Sequence, residues 1–585
     1  MHLKRFAIGC LFLPSILCAG VKTIEDFGGK ADGKTDNGPA FIKAFAFAKE
    51  NPGTTLRLGG VCRISTPQTD DGDGQINNGG LPMGAGVSGA TDLTIEDGEI
   101  LLGGRFGAFF FDHCKGLTIR NVVFDYDPPI ISQGRILSSG PAGRKMVVEP
   151  DPGYPAPDAE HFPKPGDSWF MVFKPNGEPG FHFVGHVTGV EQGANGQFTL
   201  AHDRADLANV LKGASDWRYM RVQRGSHLNV FRFCDGLKLE GCSIHGTSAF
   251  ASLFMFCNDV VLRGNRICPR AGSGRVVSTC ADGFHFIGGR HGPRIENNFF
   301  DRLVDDNIVI SLRGNRVKSV NGAQLELQGA SVTWYEVGDT IEVVEVGESR
   351  RTDYKIVEMK PQKNIWQPPV MTLDRAIEGK IVPVENKDPE ALPTVVFNKS
   401  WRQEGAVIRG NVFQNTRRYA VFMGAGGVTI ENNTMSNHTS AAILCSYIEM
   451  LNNKPNNLIY YFSSDIMIRN NTIVNALNFG EGGRVFDRLH GAIEIYDFDG
   501  HVIGTGQLRL PQRISILNNL IVNSGSAGIS IANSTDVTLS GNAILFPNQQ
   551  AQKNACGINI FASDVNLSNN VFQGPRIDKD VHQAP

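Results

Sequence analysis

Near the middle of the chain, four residues have the types and spacing for acid–base chemistry. They are Asp282 and His285, in Ala281-Asp-Gly-Phe-His-Phe286, and the doubled pair Asp305-Asp306. Carboxylates brought within a few ångströms repel one another, so at least one should keep its proton near neutrality while another stays ionised. Hydrolysis of a glycosidic bond needs that division, with one acid for the leaving oxygen and one base or nucleophile. The bland alternative is that these acids cap turns or hold a structural cation; the doubled pair and the nearby histidine favour chemistry. Asp306 shares a groove with Asp305 only if the chain turns there, because neighbours on a regular strand face opposite ways. The same parity sets His285 opposite Asp282 unless Gly283 bends the chain, so His285 is expected to contact substrate more than to catalyse. Asn307, Arg417 and Arg418 are further candidate substrate contacts. Paired arginines clamp hydroxyls or a carboxylate, or satisfy acids at a corner. Glu449, Glu494 and Asp497 read as structural acids, and Asp125 and Asp127 as shaping the exit into an insert. No Cys/His spacing suggests zinc and no glycine loop cradles phosphate, so no metal and no cofactor are expected.

For residues this far apart to share a site, the chain must bring them back at a fixed interval, and a recurring phrase supplies one. Apolar alternation runs into Gly-Asn or Asn-Asn, as in Val261-Leu-Arg-Gly-Asn265, Val407-Ile-Arg-Gly-Asn411, Val428-Thr-Ile-Glu-Asn-Asn433, Ile466-Met-Ile-Arg-Asn-Asn471, Ile514-Ser-Ile-Leu-Asn-Asn519 and Val537-Thr-Leu-Ser-Gly-Asn542. Several copies are 22 or 23 residues apart. That period is one coil of a β-solenoid. Asparagine suits a sharp corner because it tolerates left-handed backbone angles, and its amide can bond the asparagine stacked one coil away. Leucine-rich repeats share the period but need fixed leucines and a helical half, which are missing. The expectation is an all-β, right-handed parallel β-helix. Asp282 and Asp305, 23 residues apart, then fall on neighbouring coils roughly 4.8 Å apart.

Residues 39–51 have helical spacing, with Phe41, Ala44, Phe45 and Ala48 on one face; such a helix would cap the open end of the stack. Thr55–Leu58 reads as the first strand. Two stretches interrupt the repeat, about 135–225 and 316–398, each long enough for a small antiparallel β-barrel. The expected division is a leader at 1–20, β-helix coils at 21–134, a barrel at 135–225, coils with the aspartates at 226–315, a second barrel at 316–398 and coils at 399–585. All five tryptophans fall in or beside the inserts. They read as barrel packing ahead of sugar-stacking platforms.

A net charge of −3 without clustered Lys and Arg argues against nucleic acid and fits neutral glycans. Lys4-Arg5, the apolar run from Phe6 to Leu17 and the small residues Ala19-Gly20 read as an export signal, so a secreted or periplasmic chain is expected. No segment reaches the length of a membrane span. Of eleven cysteines, Cys10 and Cys18 fall in that leader. Of the remaining nine, many, such as Cys242 and Cys280, sit in strand-like contexts and read as stacked buried thiols ahead of disulfides.

The opening Asp26-Phe-Gly-Gly-Lys-Ala-Asp-Gly-Lys-Thr-Asp36 resembles the N-terminal signature of the pectin-lyase-like β-helix superfamily. Asp125-Tyr-Asp-Pro-Pro-Ile-Ile-Ser-Gln-Gly134, Ala281-Asp-Gly-Phe-His-Phe286, Asp305-Asp306 and Asn415-Thr-Arg-Arg418, in that order and with two barrel-sized inserts, resemble glycoside hydrolase family 110. That resemblance implies an exo-acting α-1,3-galactosidase, of the kind that removes terminal galactose from blood group B structures with inversion. It also implies acid and base roles shared among Asp282, Asp305 and Asp306, and an oligosaccharide or glycan partner. This chain departs from the family pattern at Asn307-Ile-Val-Ile-Ser311 and at Ile459-Tyr-Tyr-Phe-Ser-Ser464, which bears on the sugar and linkage more than on the aspartates. Two rivals share the fold: a polygalacturonase-like hydrolase or polyuronate lyase or epimerase, and a non-catalytic glycan-binding solenoid.

Overall fold

The computed structural model describes residues 20–584 except 69–81, 141–143, 165–167, 176–184, 206, 208–210, 212–215, 329–331, 386–391, 446–458, 479–489, 496–508, 551–555 and 575–579. The expected leader at 1–20, but for Gly20, lies outside the described residues, as do Glu449 and Asp497.

The molecule is a parallel β-helix whose coils each lay down three short strands. One coil runs Val261–Arg263, Arg266–Ile267 and Phe284–Ile287, and the next begins at Arg294–Glu296. Each strand pairs in parallel and in register with its counterparts, so Leu262 lies against Ile295, Ile267 against Phe300, and Phe286 against Ile310. Three rows of strands result, the first, second and third sheets of the coil; the first two are continuous through the long strands Thr94–Leu102 and Thr118–Tyr126 in one 24-stranded array, and the third is a separate 12-stranded sheet.

The corner between the first and second strands explains the recurring phrase, with two consecutive residues dividing the work. The first is Gly or Asn at positive φ, as at Gly264 (66°), Asn297 (56°), Gly410 (67°) and Asn432 (55°). The second is the ladder asparagine. Asn265 donates Nδ2–H to Asn298 Oδ1 at 2.9 Å, Asn298 to Asn411 at 2.9 Å, Asn411 to Asn433 at 3.0 Å and Asn433 to Asn471 at 2.9 Å. The row continues through Asn519 and Asn542 to Asn570. Each amide also donates to a carbonyl of the preceding coil, as Asn433 does to Ile408. A shorter row, Asp301–Asn415–Asn437–Asn475, runs along the corner where the chain leaves the second strand for the third.

Inside, side chains stack as like upon like. Phe231, Phe254 and Phe286 lie face to face at 5.0 and 4.3 Å, then give way to Ile310, Met423 and Cys445. Such ring pairs add about 0.5–1.5 kcal/mol each to the burial of their area. All nine described cysteines are buried thiols. The helix spans Gly38–Glu50 and packs Phe41 and Phe45 onto Phe109 and Phe111. Thr55–Arg57 is preceded in its sheet by Val21–Thr23, which pairs with it in register; three residues cut off by a 3-10 turn leave too little alternation to be seen in sequence.

Two closed six-stranded antiparallel barrels interrupt the solenoid. The first has strands from Ser132–Ser139 to Arg218–Gln223, between a second-sheet strand and a third-sheet strand. The second has strands from Gly314–Asn321 to Thr394–Asn398 and follows the third-sheet strand Ile308–Ser311. Its Val332, Val395 and Phe397 share an apolar cluster with Val230, Leu253 and Ile287 of the third sheet, which is therefore buried on its outer side as well. Four tryptophans pack as expected: Trp169 against the main core, Trp217 in the first barrel, and Trp334 and Trp401 between the second barrel and the coils. Trp366 is the exception, 53% exposed.

Candidate active site

The aspartates sit where the chain passes from second to third sheet, just before the third strands. Gly283 N–H donates to Asp306 O at 2.9 Å and Asn307 N–H to Tyr419 O at 3.0 Å. Asp282 is therefore level with Asp306, and Asp305 stands one position earlier, beside Arg418 of the following coil. The sequence interval suggested Asp282 against Asp305; these coils instead stack at an offset of 24 residues, Phe284 on Ile308, so the match moves by one where the chain bends at Val304–Asn307. The same bend turns Asp305 and Asp306 to a common side. Gly283 is required by close approach, because a Cβ there would lie 2.5 Å from Asn307 O.

One oxygen from each of Asp282, Asp305 and Asp306 lies within 4.8 Å of the others. By distance alone such a trio suits a cation, but guanidinium groups already supply the positive charge. Arg418 Nη1 donates to Asp305 Oδ1 at 2.8 Å, its Nε lies 3.6 Å from Asp306, and Arg417 Nη1 lies 3.7 Å from Asp305. Arg417 also donates to Val304 O at 3.0 Å. Of the two arginine readings, the structure gives acid-pairing. These arginines are 111–113 positions from the pair in sequence but only one coil away, because the second barrel lies between.

The surroundings separate the three carboxyls. Burial drives the Asp282 pKa well above its usual value, and the charge of Asp305 adds to this. Asp306 is also raised, first by burial and then by Asp305 and Asp282, against the pull of Arg418. Burial would raise Asp305 too, but Arg418 and Arg417 overcome it and hold that group below its usual range. Side-chain exposure agrees: 22% for Asp305, 8% for Asp282 and 7% for Asp306. The cluster thus sets one more accessible carboxyl, whose charge is favoured, beside two whose charge is disfavoured, as a coupled set.

Two expected substrate contacts are placed otherwise. Asn307 is fully buried; its Nδ2 donates to Tyr419 O at 3.3 Å and its Oδ1 accepts from Thr416 Oγ1 at 3.1 Å, so it ties two coils together. His285 meets Asp282 instead of facing away, with Nδ1 2.6 Å from Asp282 Oδ2. Parity fails because Asp282 precedes the regular strand, which starts at Phe284. Burial, with Arg313 nearby, depresses the His285 pKa to about 3, so the ring is neutral. Glu494 is buried further along the same sheet, its Oε1 2.8 Å from His490 Nδ1.

Several supporting residues were not assigned to the site in sequence, where Asp125 and Asp127 read as shaping the exit into an insert. Asp125 is buried and paired with Arg270 at 2.6 Å and with Arg275, both on the loop leading to Asp282. Gln133 at the start of the first barrel accepts from Val276 N–H and donates to Gly274 O, each at 3.0 Å. That barrel thus braces the Asp282 loop. Asp125 and Gln133 both lie in the quoted Asp125–Gly134 motif, whereas nothing local marks Arg270 or Arg275 as their partners. Asp127 pairs with Arg63 at 2.9 Å. Tyr419 donates its N–H to Asp306 at 3.4 Å, and its ring lies under Arg418.

No family model matches the chain. Among curated proteins it is similar to "Alpha-1,3-galactosidase B" of Bacteroides thetaiotaomicron, 24% identical over 349 residues, covering 55% of each protein. This chain therefore spans about half the length of that relative. It is also 22% identical to "Alpha-1,3-galactosidase A" of Shewanella woodyi over 575 residues, covering 89% of this chain and 90% of that protein. Among solved structures, the catalytic unit of a thermostable GH87 alpha-1,3-glucanase from Streptomyces thermodiastaticus aligns over 97% of this chain and 66% of that one, at TM-score 0.44 and 11% identity. This parallel β-helix is thus a homologue of proteins named alpha-1,3-galactosidase.

Proposed function

We propose that the chain is an exported exo-glycosidase that hydrolyses terminal α-linked galactose, with α-1,3-linked galactose of the blood group B type as its first candidate substrate. The feature that carries the chemistry is the split within one cluster: two arginines beside Asp305 favour its charge, while burial raises the pKa of Asp282 next to it. In this reading Asp305 activates water, Asp282 protonates the leaving oxygen, and Asp306 shares their proton inventory. The sugar and linkage come from the named relatives and the family resemblance, and export from residues 1–20. Arg417 and Arg418 pair with Asp305, which disfavours them as the base of a polyuronate lyase.

The test is a panel of terminal α- and β-glycosides, with the first-formed anomer followed by NMR. Release of galactose from α-1,3-linked substrates is expected, with the inverted anomer first. Carboxyl separations of roughly 6.5–9.5 Å accompany inversion and roughly 5–5.5 Å retention, so this closely set cluster makes the anomer informative. Unsaturated, ultraviolet-absorbing products would establish a lyase instead, and glycan binding without turnover would establish a binding solenoid.

A further inference from the structure

His285 has an arrangement that its neighbours do not explain. Its Nδ1 lies 2.6 Å from Asp282 Oδ2, while its Nε2 is buried and has no hydrogen-bond partner among the described residues. The whole residue is 5% exposed. Its ring lies flat against Phe250 at 4.6 Å and 10°, and Phe250 stacks in turn on His227 at 4.3 Å. On its strand it lies in register between Leu253 and Val309. The ring is thus clamped by apolar contacts, and it cannot offer Nε2 to a substrate.

A neutral imidazole carries one N–H, and the choice between its nitrogens follows from this setting. A buried N–H without an acceptor is rarer and more costly than a bare acceptor nitrogen. The proton therefore belongs on Nδ1, where Asp282 Oδ2 accepts it. Since Oδ2 is then an acceptor, a proton held by Asp282 must sit on its other oxygen. We infer that His285 is a positioning residue that confines the transferable proton of Asp282 to Oδ1, an inference that rests on the proposed glycosidase reading. The charged and titratable groups around the pair are Asp305, Asp306, Arg417 and Arg418 from the coils that follow, Arg224 and His227 from those before, and Arg313 beyond the next strand. The strongly depressed basicity of the His285 ring agrees with a neutral partner.

In the reaction, the Oδ1–H bond of Asp282 breaks as the glycosidic oxygen takes the proton and the bond from the anomeric carbon to that oxygen opens. Water bonds to the anomeric carbon and gives its proton to Asp305. Asp282 ends as a carboxylate, and the Nδ1–H donated to Oδ2 becomes a charge-assisted bond to that charge as it forms.

The test compares His285→Phe, which keeps the stack on Phe250 but removes the donor, with His285→Asn, whose amide N–H takes the place of Nδ1–H. His285→Phe is expected to lower kcat on the order of 10–100-fold with a smaller change in KM. Losing the donor disfavours the carboxylate, so the alkaline limb of kcat/KM should move to higher pH; His285→Asn should restore both. Movement of that limb to lower pH would mean that Asp282 donates to Nδ1, and would overturn the inference. Separately, 15N NMR of histidine-labelled enzyme, with the His285 signal identified by its loss in His285→Asn, should show the Nδ1–H tautomer near neutral pH. An Nε2–H tautomer or an imidazolium there would overturn the inference whatever substrate the enzyme takes, whereas a failed glycoside panel with the Nδ1–H tautomer present would remove only the proposed reaction.

Discussion

The asparagine ladder and the aspartate bend are both rows of polar groups stacked coil on coil, yet stacking has opposite consequences in them. In the ladder, each residue repeats its neighbour and each amide both gives and receives, so Asn411, Asn433 and Asn471 satisfy one another together with a carbonyl of the preceding coil. In the bend, the level that holds Asp282 and Asp306 carries Phe250 before them and Tyr419 after, and nothing repeats. Acids stacked on acids cannot satisfy one another, since a carboxylate only accepts. They must be sorted by proton and by arginine. Like upon like stabilises when the group is both donor and acceptor; when it is not, the same geometry sets the pKa values of neighbouring groups apart, as the proposed acid–base chemistry needs.

The largest effect that would break this contrast is on turnover. Single changes of Asp282, Asp305 or Asp306 to Asn should each cost on the order of 10²–10⁴-fold in kcat/KM, while Asn433→Ala in the ladder should leave it unchanged. Wild-type turnover in all three aspartate variants would abolish the distinction. Next comes Arg418→Met, which removes the partner that keeps Asp305 ionised. The Asp305 pKa should then rise, moving the acidic limb of the pH–rate profile upward, with roughly a tenfold loss at the optimum; an unmoved limb would show that Arg417 suffices.

On stability the contrast should reverse. Asn433→Ala strands buried partners on both adjacent coils and should cost about 1–3 kcal/mol for each group left unsatisfied, read by denaturant or thermal unfolding. Asp282→Asn should instead raise thermal stability slightly above pH 4, because it replaces an acid whose folded pKa is raised. Such an acid supports the fold below its unfolded value, near 3.9, and loses that support as pH rises through its folded value. The melting-temperature gain should therefore grow with pH from about 4 upward. A gain that was the same at all pH values would point to packing alone.

How far the sequence carried these conclusions differs along the chain. The ladder was legible because its signal is periodic: Gly-Asn or Asn-Asn recurs at the interval of one coil, and each copy is set by its own backbone angle. The aspartates were legible as a group, since coil spacing and doubling both mark them. Their exact level was not, because these coils stack at an offset of 24 residues, and a difference of one residue changes no motif. His285 was misjudged for a related reason, as strand parity was applied to a residue lying before the strand. Asn307 looked available for substrate because it adjoins the acids, but the bend turns it inward to Thr416 and Tyr419.

The sequence by itself determined the solenoid, the insert positions in outline and the identity of the acidic residues, because period, alternation and turn chemistry are local and repeat. Only the tertiary structure decided which acid is charged. That choice depends on Arg417 and Arg418 arriving from beyond an entire barrel, on the depth at which Asp282 is buried, and on the ring of His285 closing one of its oxygens. Burial and charge are properties of what surrounds a group in space, and in this chain those surroundings come from coils separated by more than a hundred residues.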